Sequence, residues 1–404
     1  MLPIARTAKG STYRSNIGKQ FAFMVNRRMI IGILIRAIFA LLTAILVWRS
    51  RILQVGTFLT AAGLRRNHRK QAGPASKCLA WKDVVAPATA STDLNPRVLI
   101  TYHPEYHLFE PRIVVENLKA ATRLGVGWVR SDIHWSEIIP EGLEPDPKAL
   151  AWYRSYLRVA SDLGLKCMAV LSNPPKFVLK QQGLARLESW TRFVELVVSE
   201  LGEWCPIFQL MNEPNNPVYG FLSLSEVAAA VARGATAIHS VLPSAKVAIN
   251  IAMDVWGWQD YLTSVMDLSK GSIDIVGLDH YPGTWTVVQH ARWDHVTQFA
   301  DAIASAPTGS LWSGRGLSII ETGYSTNAIL RGQSQQAEYF ESIKRVATYI
   351  RQKSVMDCPI FGIYELCDSD SSAWLDPEAH FGLMTSDGKA KSAFATVREI
   401  VASL

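Results

Sequence analysis

The sequence predicts an α/β fold, a (β/α)8 TIM barrel, and three observations lead to this prediction. From Arg97 onward, short runs rich in β-branched residues alternate with amphipathic stretches, which is typical of a parallel sheet built from strand-helix units. Eight such runs occupy roughly 300 residues, the size of one barrel. No glycine-rich phosphate loop follows the first run, which disfavours the alternative, a doubly wound nucleotide-binding sheet.

The predicted elements can be read in order along the chain. The strands are RVLITYH from Arg97, VGWVRSD from Val126, LKCMAVL from Leu165, CPIFQLMNE from Cys205, AKVAINIA from Ala245, SIDIVGLDHY from Ser272, GLSIIETGY from Gly316 and CPIFGIYELCD from Cys358. The segments PRIVVENLKAATRLG, ALAWYRSYLRVASDLG, LESWTRFVELVVSELG and LSEVAAAVARGATAIHSV lie between them and have helical spacing of apolar residues. The first three end in glycine, the usual stop signal of a helix.

Charge divides the chain into two parts. Of the 41 Lys and Arg residues, 15 lie within residues 1–82, which contain no Asp or Glu. The remainder therefore has 26 basic against 35 acidic residues, a net charge of −9. The basic character belongs to the tail, so we expect no nucleic-acid partner for the main domain. We also expect the protein to be a monomer.

A 20-residue apolar run, Met29 to Trp48, is long enough to cross a bilayer, with Arg36 as its one costly interruption. We interpret it as a membrane anchor, with the short N-terminus in the cytoplasm and the large domain outside it, in the periplasm or the extracellular space. A buried core helix, an organelle transit peptide, or a signal sequence that starts at Met24 or Met29 are the alternatives, and a cleaved signal would make the protein secreted. The predicted organisation is a basic tail (1–28), an anchor (29–48), a linker (49–96) and a catalytic barrel (97–404).

Two glutamates stand at the ends of apolar strand runs. Glu213 closes the fourth predicted strand within Asn212-Glu213-Pro214, and Glu321 closes the seventh. In a (β/α)8 barrel the active site lies at the carboxyl ends of the strands, and strands four and seven face each other across its mouth. One such glutamate would ordinarily be a solvated loop residue. Two of them predict a pair of carboxylates, one protonated and one ionised, as glycosidic cleavage requires.

These motifs resemble the retaining glycoside hydrolases of clan A over most of residues 97–404. Asn212-Glu213-Pro214 and Glu321 resemble the fourth and seventh strand ends of the clan. VRSDIHWSEIIPEG resembles the second strand, LDHYPGTW the sixth, YELCDSD the eighth, and HFGLMTSDGKAKSAF the closing stretch of many family 5 and family 39 chains. The resemblance implies hydrolysis of β-glycosidic bonds in an oligo- or polysaccharide through a covalent glycosyl-enzyme intermediate. It makes Glu213 the acid/base and Glu321 the nucleophile, with no cofactor.

The predicted substrate-binding residues surround this pair. They are Asn212, Arg130, His103, Trp135, His280, Tyr281, Trp285, Tyr364, Glu365 and Trp374. Arg130 would keep Glu321 ionised, Tyr281 would orient it, and Asn212 would donate to the sugar 2-hydroxyl. The tryptophans, with Trp256 and Trp258, would stack on sugar rings.

Two features qualify these predictions. Clan members often carry a tryptophan at the end of strand eight, under the sugar, where this chain has Tyr364, and Trp374 is the substitute that we expect for this tryptophan. His103, His107 and His134 lack the convergent ligands of a metal site, and we assign no metal. Two other functions remain open, a transglycosylase with the same carboxylates and a non-catalytic glycan-binding protein.

Overall fold

Eight parallel strands close into a barrel in the described part of the chain, in which each strand pairs with the next and the eighth pairs with the first. This computed structural model describes Trp81 and residues 94–404, apart from 105, 107–109, 143, 285–292, 328–331 and 374–375. The strands are β1 (Asn95–Thr101), β2 (Val126–His134), β3 (Lys166–Ser172), β4 (Ile207–Leu210), β5 (Lys246–Ala252), β6 (Ile275–Asp279), β7 (Gly316–Thr322) and β8 (Phe361–Ile363). The predicted (β/α)8 barrel is confirmed.

Helices connect the strands. They are α1 (Pro111–Leu124), α2 (Trp135–Ile138), α3 (Pro147–Asp162), α4 (Lys176–Leu179), α5 (Gly183–Leu201), α6 (Leu224–Val241), α7 (Trp258–Leu268), α8 (Asp294–Ala304), α9 (Gln333–Lys353) and α10 (Ser392–Ser403), with 3-10 turns at Gly202–Trp204 and Pro377–His380. Gly125 and Gly164 follow α1 and α3 with φ of 82° and 83°, as expected for helix stops. Gly202 differs, because its φ of −65° carries the chain into a 3-10 turn.

The predicted N-terminal segments fall largely outside the described residues. The tail 1–28, the apolar segment 29–48 and all of the linker except Trp81 and residues 94–96 are among them. No helix in the described ranges combines the length and the apolar character needed to cross a bilayer. β1 begins at Asn95, two residues before the predicted barrel boundary, because Asn95 already pairs with β2 and its N–H donates to the Gly125 carbonyl.

The barrel interior changes from apolar to polar along the strands. The apolar part of the interior is filled by Leu99, Trp128, Met168, Ile207, Ala248, Ile275, Ile320 and Cys358. Side chains on a strand alternate between its two faces, so the residue two positions further on points to the same side. Two positions after Leu99, Trp128, Ile207 and Ala248 the chain has Thr101, Arg130, Gln209 and Asn250, all buried. A polar layer thus lies on the apolar one, at the carboxyl ends of the strands.

Candidate active site

Glu213 and Glu321 meet within this polar layer. They are 7% and 6% exposed, and one carboxylate oxygen of each lies within 4.8 Å of one of the other. A separation near 5 Å is typical of glycosidases in which one carboxylate attacks the sugar, whereas about 6.5–9.5 Å leaves room for a water between them. The structure therefore brings together two acids that are 108 positions apart in the sequence, at a spacing that suits direct attack.

The two glutamates reach this place by different local structures. β4 ends at Leu210, three residues earlier than predicted, because Met211 and Glu213 have φ of 66° and 42° and cannot continue an extended strand. Glu321 lies inside β7, where the pairing with β6 skips Ile320: Leu278 pairs with Ile319, and Asp279 with Glu321. Such a bulge redirects the side chains that follow it. Ile320 stays in the apolar interior, and Glu321 faces the polar layer.

The surroundings of Glu213 favour a proton on its carboxyl group. Burial raises the pKa of Glu213, the nearby charge of Glu321 adds to this, and bonds to Asn216 and Asp279 and the charge of Arg130 counteract it in part, with a result of about 7. Asn216 Nδ2 donates to Oε2 at 2.7 Å. A carboxyl group with this pKa is partly protonated at neutral pH, as a general acid requires.

Glu321 is instead held by two donors. Arg130 Nη1 lies 2.5 Å from Oε1, and the Tyr281 hydroxyl donates to Oε2 at 2.5 Å. Burial and the charge of Glu321 raise the pKa of Tyr281 well above its ordinary value, so the phenol keeps its proton. A buried ion pair and a hydroxyl donor both favour an ionised carboxylate. The two glutamates thus have opposite environments, which suits an acid and a nucleophile.

A network of amides fixes Arg130 and Asn212. Arg130 Nε donates to Gln209 Oε1 at 2.8 Å, and its Nη2 donates to Asn212 Oδ1 at 2.9 Å. Asn250 Nδ2 donates to the same Asn212 oxygen at 2.8 Å. Since Oδ1 accepts these bonds, Nδ2 is the group that Asn212 can offer to a hydroxyl of a ligand. The Asn250 Oδ1 accepts from the backbone N–H of Glu213 at 2.8 Å, so one amide orients both residues.

His103, Tyr364 and Glu365 lie together beside the carboxylate pair. His103 Nδ1 bonds to Asp132 Oδ2 at 2.6 Å, and its Nε2 lies 3.8 Å from Glu365 Oε2. Burial would lower the pKa of His103, but the bond to Asp132 and the charges of Asp132 and Glu365 raise it to about 9. Burial raises the pKa of Glu365 to about 8, against the charge of His103. The Tyr364 ring meets the rings of His103 and Tyr281 edge-on at 5.7 and 5.8 Å.

Some predicted site residues are placed elsewhere. Trp135 is 1% exposed and stacks on Phe193 with 5.0 Å between ring centroids, so it packs between the barrel and α5 and does not face the cleft. The interpretation of Trp135 as a sugar-stacking residue is corrected, since the first turn after β2 directs it towards that helix. The His280 ring meets Trp293 edge-on at 4.9 Å, and its Nδ1 lies 3.7 Å from Asp254 Oδ1.

The other tryptophans add no described contact with the carboxylates. Trp256 is fully exposed, and Trp258 meets Phe299 edge-on at 5.9 Å. Trp285 and Trp374 lie outside the described residues.

Sequence reasoning missed several residues of the site. They are Gln209, Asn250, Asp279, Asp132 and Asn216. The first three stand inside apolar strand runs, where an amide or a carboxylate is costly to bury unless it is bonded. That signal was present in FQLM, AINIA and VGLDHY.

The carboxylates of Glu213, Asp279 and Glu321 are close enough together for a metal ion. The Arg130 guanidinium, however, already occupies an oxygen of Glu321. A divalent ion would therefore meet a fixed positive charge. These residues fit an acid-base site better than a metal site.

Comparison with known proteins shows similarity in fold. No family model matches the chain, and no curated protein matches it by sequence. Among solved structures, a β-glycosidase is 16% identical with a TM-score of 0.58, over 74% of this chain and 86% of that one. An exo-β-1,4-mannosidase from Opitutaceae bacterium strain TAV5 is 15% identical with a TM-score of 0.59, over 78% and 62%.

A family 39 glycoside hydrolase from Bacteroides cellulosilyticus WH2 is 15% identical with a TM-score of 0.56, over 77% of this chain and 64% of that one. This chain thus spans less than two thirds of the length of the mannosidase and of the family 39 protein. At these identities the likeness concerns the fold alone. The chain therefore shares the (β/α)8 fold of these glycoside hydrolases, as its strand and helix pattern predicted.

Proposed function

We propose that this protein is a retaining glycoside hydrolase that cleaves β-glycosidic bonds of an oligo- or polysaccharide. The observation that carries the proposal is the pair Glu213 and Glu321, whose carboxylate oxygens approach within 4.8 Å while one is placed to hold a proton and the other to stay ionised. This combination matches double displacement, in which one carboxyl group protonates the leaving oxygen and the other attacks the sugar.

In the first step Glu321 attacks the anomeric carbon and forms an ester, while the glycosidic C–O bond breaks. Glu213 gives its proton to the leaving oxygen, so the departing group leaves as a neutral alcohol. Tyr281 and Arg130 hold the attacking carboxylate in position. The Asn212 amide N–H donates to the 2-hydroxyl, a contact that strengthens as positive charge develops on the ring.

In the second step water replaces the ester. Glu213, now ionised, takes a proton from the water, whose oxygen bonds to the anomeric carbon as the bond to Glu321 breaks. The sugar leaves with its original anomeric configuration because two inversions have occurred. The partly buried ring of Tyr364 and the polar groups of His103 and Glu365 border the same site and would contact the sugar.

Replacement of the nucleophile tests the proposal. For Glu321→Ala we expect a loss of about a thousandfold or more in turnover of aryl β-glycosides, partly rescued by azide with inverted product, because azide fits the space of the lost carboxylate. Glu188→Ala, which removes an exposed carboxylate on α5, serves as the control. Full activity of Glu321→Ala would refute the assignment. No turnover by the unmodified protein, with unchanged glycan binding in Glu321→Ala, would favour a non-catalytic glycan-binding protein.

We also propose that the segment Met29 to Trp48 anchors the protein in a membrane, with the barrel outside the cytoplasm. Its 20 apolar residues and its acid-free basic flanks support this. If the segment is a cleaved signal, the barrel is secreted. In both cases the enzyme would meet a glycan outside the cytoplasm.

A further inference from the structure

A third carboxyl group lies beside the catalytic pair. Asp279, the last residue of β6, is 1% exposed, and one of its oxygens lies within 4.8 Å of oxygens of both Glu213 and Glu321. Arg130, on β2, is the guanidinium that faces this group, and it is already paired with Glu321 at 2.5 Å. Three ionised carboxylates against one guanidinium would leave two negative charges uncompensated in a buried site, so protons must remain there.

The contacts of Asp279 indicate that it holds one of these protons. Asn250 Nδ2, on β5, donates to Oδ2 at 2.5 Å, whereas Oδ1 is buried and finds no donor in the described part of the chain. A carboxylate would need a second donor, but a protonated Oδ1 needs an acceptor. Burial raises the pKa of Asp279 well above its ordinary value, and the charges of Glu321 and Glu213 add to this against Arg130 and Asn250. A bond to Asp279 in turn lowers the pKa of Glu213.

We propose that Asp279 is a positioning residue that keeps its proton throughout the reaction and donates it, as a hydrogen bond, to the ionised Glu213 of the glycosyl-enzyme intermediate. This inference rests on the proposed function. Once Glu213 has protonated the leaving group, it carries a negative charge on a buried side chain, and Glu321 is a neutral ester. The Asp279 O–H then stabilises that charge until Glu213 takes a proton from the attacking water. Asp279 itself gains and loses no proton in the cycle.

The protonation of Asp279 can be measured without a substrate. At pH 9, above the Glu213 pKa of about 7, the infrared difference spectrum of the unmodified protein minus Asp279→Asn should show the C=O stretch of a protonated carboxyl group. The exposed Asp267→Asn on α7 should give no such band. Absence of the band for Asp279→Asn would overturn the proposal. Since no turnover is needed, this outcome is independent of whether the proposed function holds.

The pH dependence of kcat/KM tests the role of the hydrogen bond. Asp279→Asn keeps an N–H donor towards Glu213, whereas Asp279→Leu keeps the approximate volume without one. The apparent pKa of the alkaline limb should therefore rise by about half a pH unit or more in Asp279→Leu and stay near its original value in Asp279→Asn. If Asp279 were ionised, both variants would remove a negative charge near Glu213, and the apparent pKa of the alkaline limb would fall. An apparent pKa of the alkaline limb that is unchanged or lower in Asp279→Leu would overturn the proposal.

Discussion

At Glu213, burial and the neighbouring carboxylate of Glu321 act in the same direction, and both favour the protonated acid. At Glu321 a guanidinium and a phenol act in the opposite direction. The two residues are chemically identical, so the difference between the proposed acid and the proposed nucleophile comes entirely from their surroundings. This division of roles leads to a prediction about pH.

The proton on Glu213 should control activity on substrates with poor leaving groups. We expect kcat/KM on such substrates to fall as pH rises through about 7, because the free enzyme then loses the acid. Glu213→Ala should lower turnover much more on these substrates than on aryl glycosides with activated leaving groups, which need no protonation. Equal losses on both substrate types, measured by steady-state kinetics, would contradict the assignment.

His103 should contribute stability that depends on pH. Asp132 raises the pKa of His103 from 6.5 to about 9, against the effect of burial, so the folded state binds the proton more tightly than the unfolded state. The resulting stability is complete below pH 6.5 and is lost as pH rises through 9. His103→Gln should therefore lower the free energy of unfolding by about 2 kcal/mol at pH 6 and by clearly less at pH 9.5.

Urea unfolding at the two pH values measures this difference. Lys119→Gln, which breaks an exposed ion pair with Glu116 on α1, is the control and should have a small effect at both values. An effect of His103→Gln that does not change with pH would show that the pair contributes through packing alone.

At the scale of elements, the irregular pairing of β7 with β6 and β8 shapes the site. The bulge in β7 turns Glu321 towards Asp279, and the pairing with β8 is irregular at the same place, between Ile319 and Thr322. Gly362 on β8 lies against this bulge. A methyl group on it would overlap the carbonyl oxygen of Ile320 and lie 2.8 Å from Leu99 Cδ1.

Gly362→Ala should therefore destabilise the protein by about 3 kcal/mol or more, because a backbone carbonyl in a closed barrel cannot move aside. The midpoint of thermal or urea unfolding measures the loss. Gly234→Ala on α6 is the matched control, since its methyl group would meet the end of the flexible Leu210 side chain at 2.9 Å. Similar losses of stability in both variants would contradict the conclusion that the close contact between Gly362 and the β7 bulge is what makes Gly362→Ala destabilising.

At the scale of the whole molecule, one described residue that precedes the predicted start of the barrel packs against it. Trp81 meets Trp152 of α3 edge-on, with 5.9 Å between ring centroids. A boundary at Arg97 would cut through β1 and remove this contact. A soluble version should therefore begin at Cys78.

The apolar segment Met29 to Trp48 predicts how two versions of the protein divide between membrane and supernatant. The full chain should remain with the membrane after carbonate washing, because a 20-residue apolar span stays inserted, whereas the chain from Cys78 onward should appear in the supernatant. Immunoblots of the two fractions measure the partition. A full chain that appears only in the supernatant, at its full length, would refute the anchor; a shortened chain there would indicate a cleaved signal.

The sequence by itself determined the barrel and its two acids. Both depend on local patterns: strand and helix periodicity within each segment, and a single carboxylate after a buried run, as at Glu213 and Glu321. These patterns involve neighbours along the chain, so no knowledge of distant contacts is needed to recognise them.

Only the tertiary structure decided which side chains join the acids. The inward position of Glu321 depends on a bulge in its pairing with β6, and the placement of Asp279 beside it depends on which face of β6 lines the barrel. Trp135 is a core residue because Phe193, 58 positions later, offers it a ring to stack on. Register and packing partners are set between segments far apart in sequence, and for that physical reason they required the folded chain.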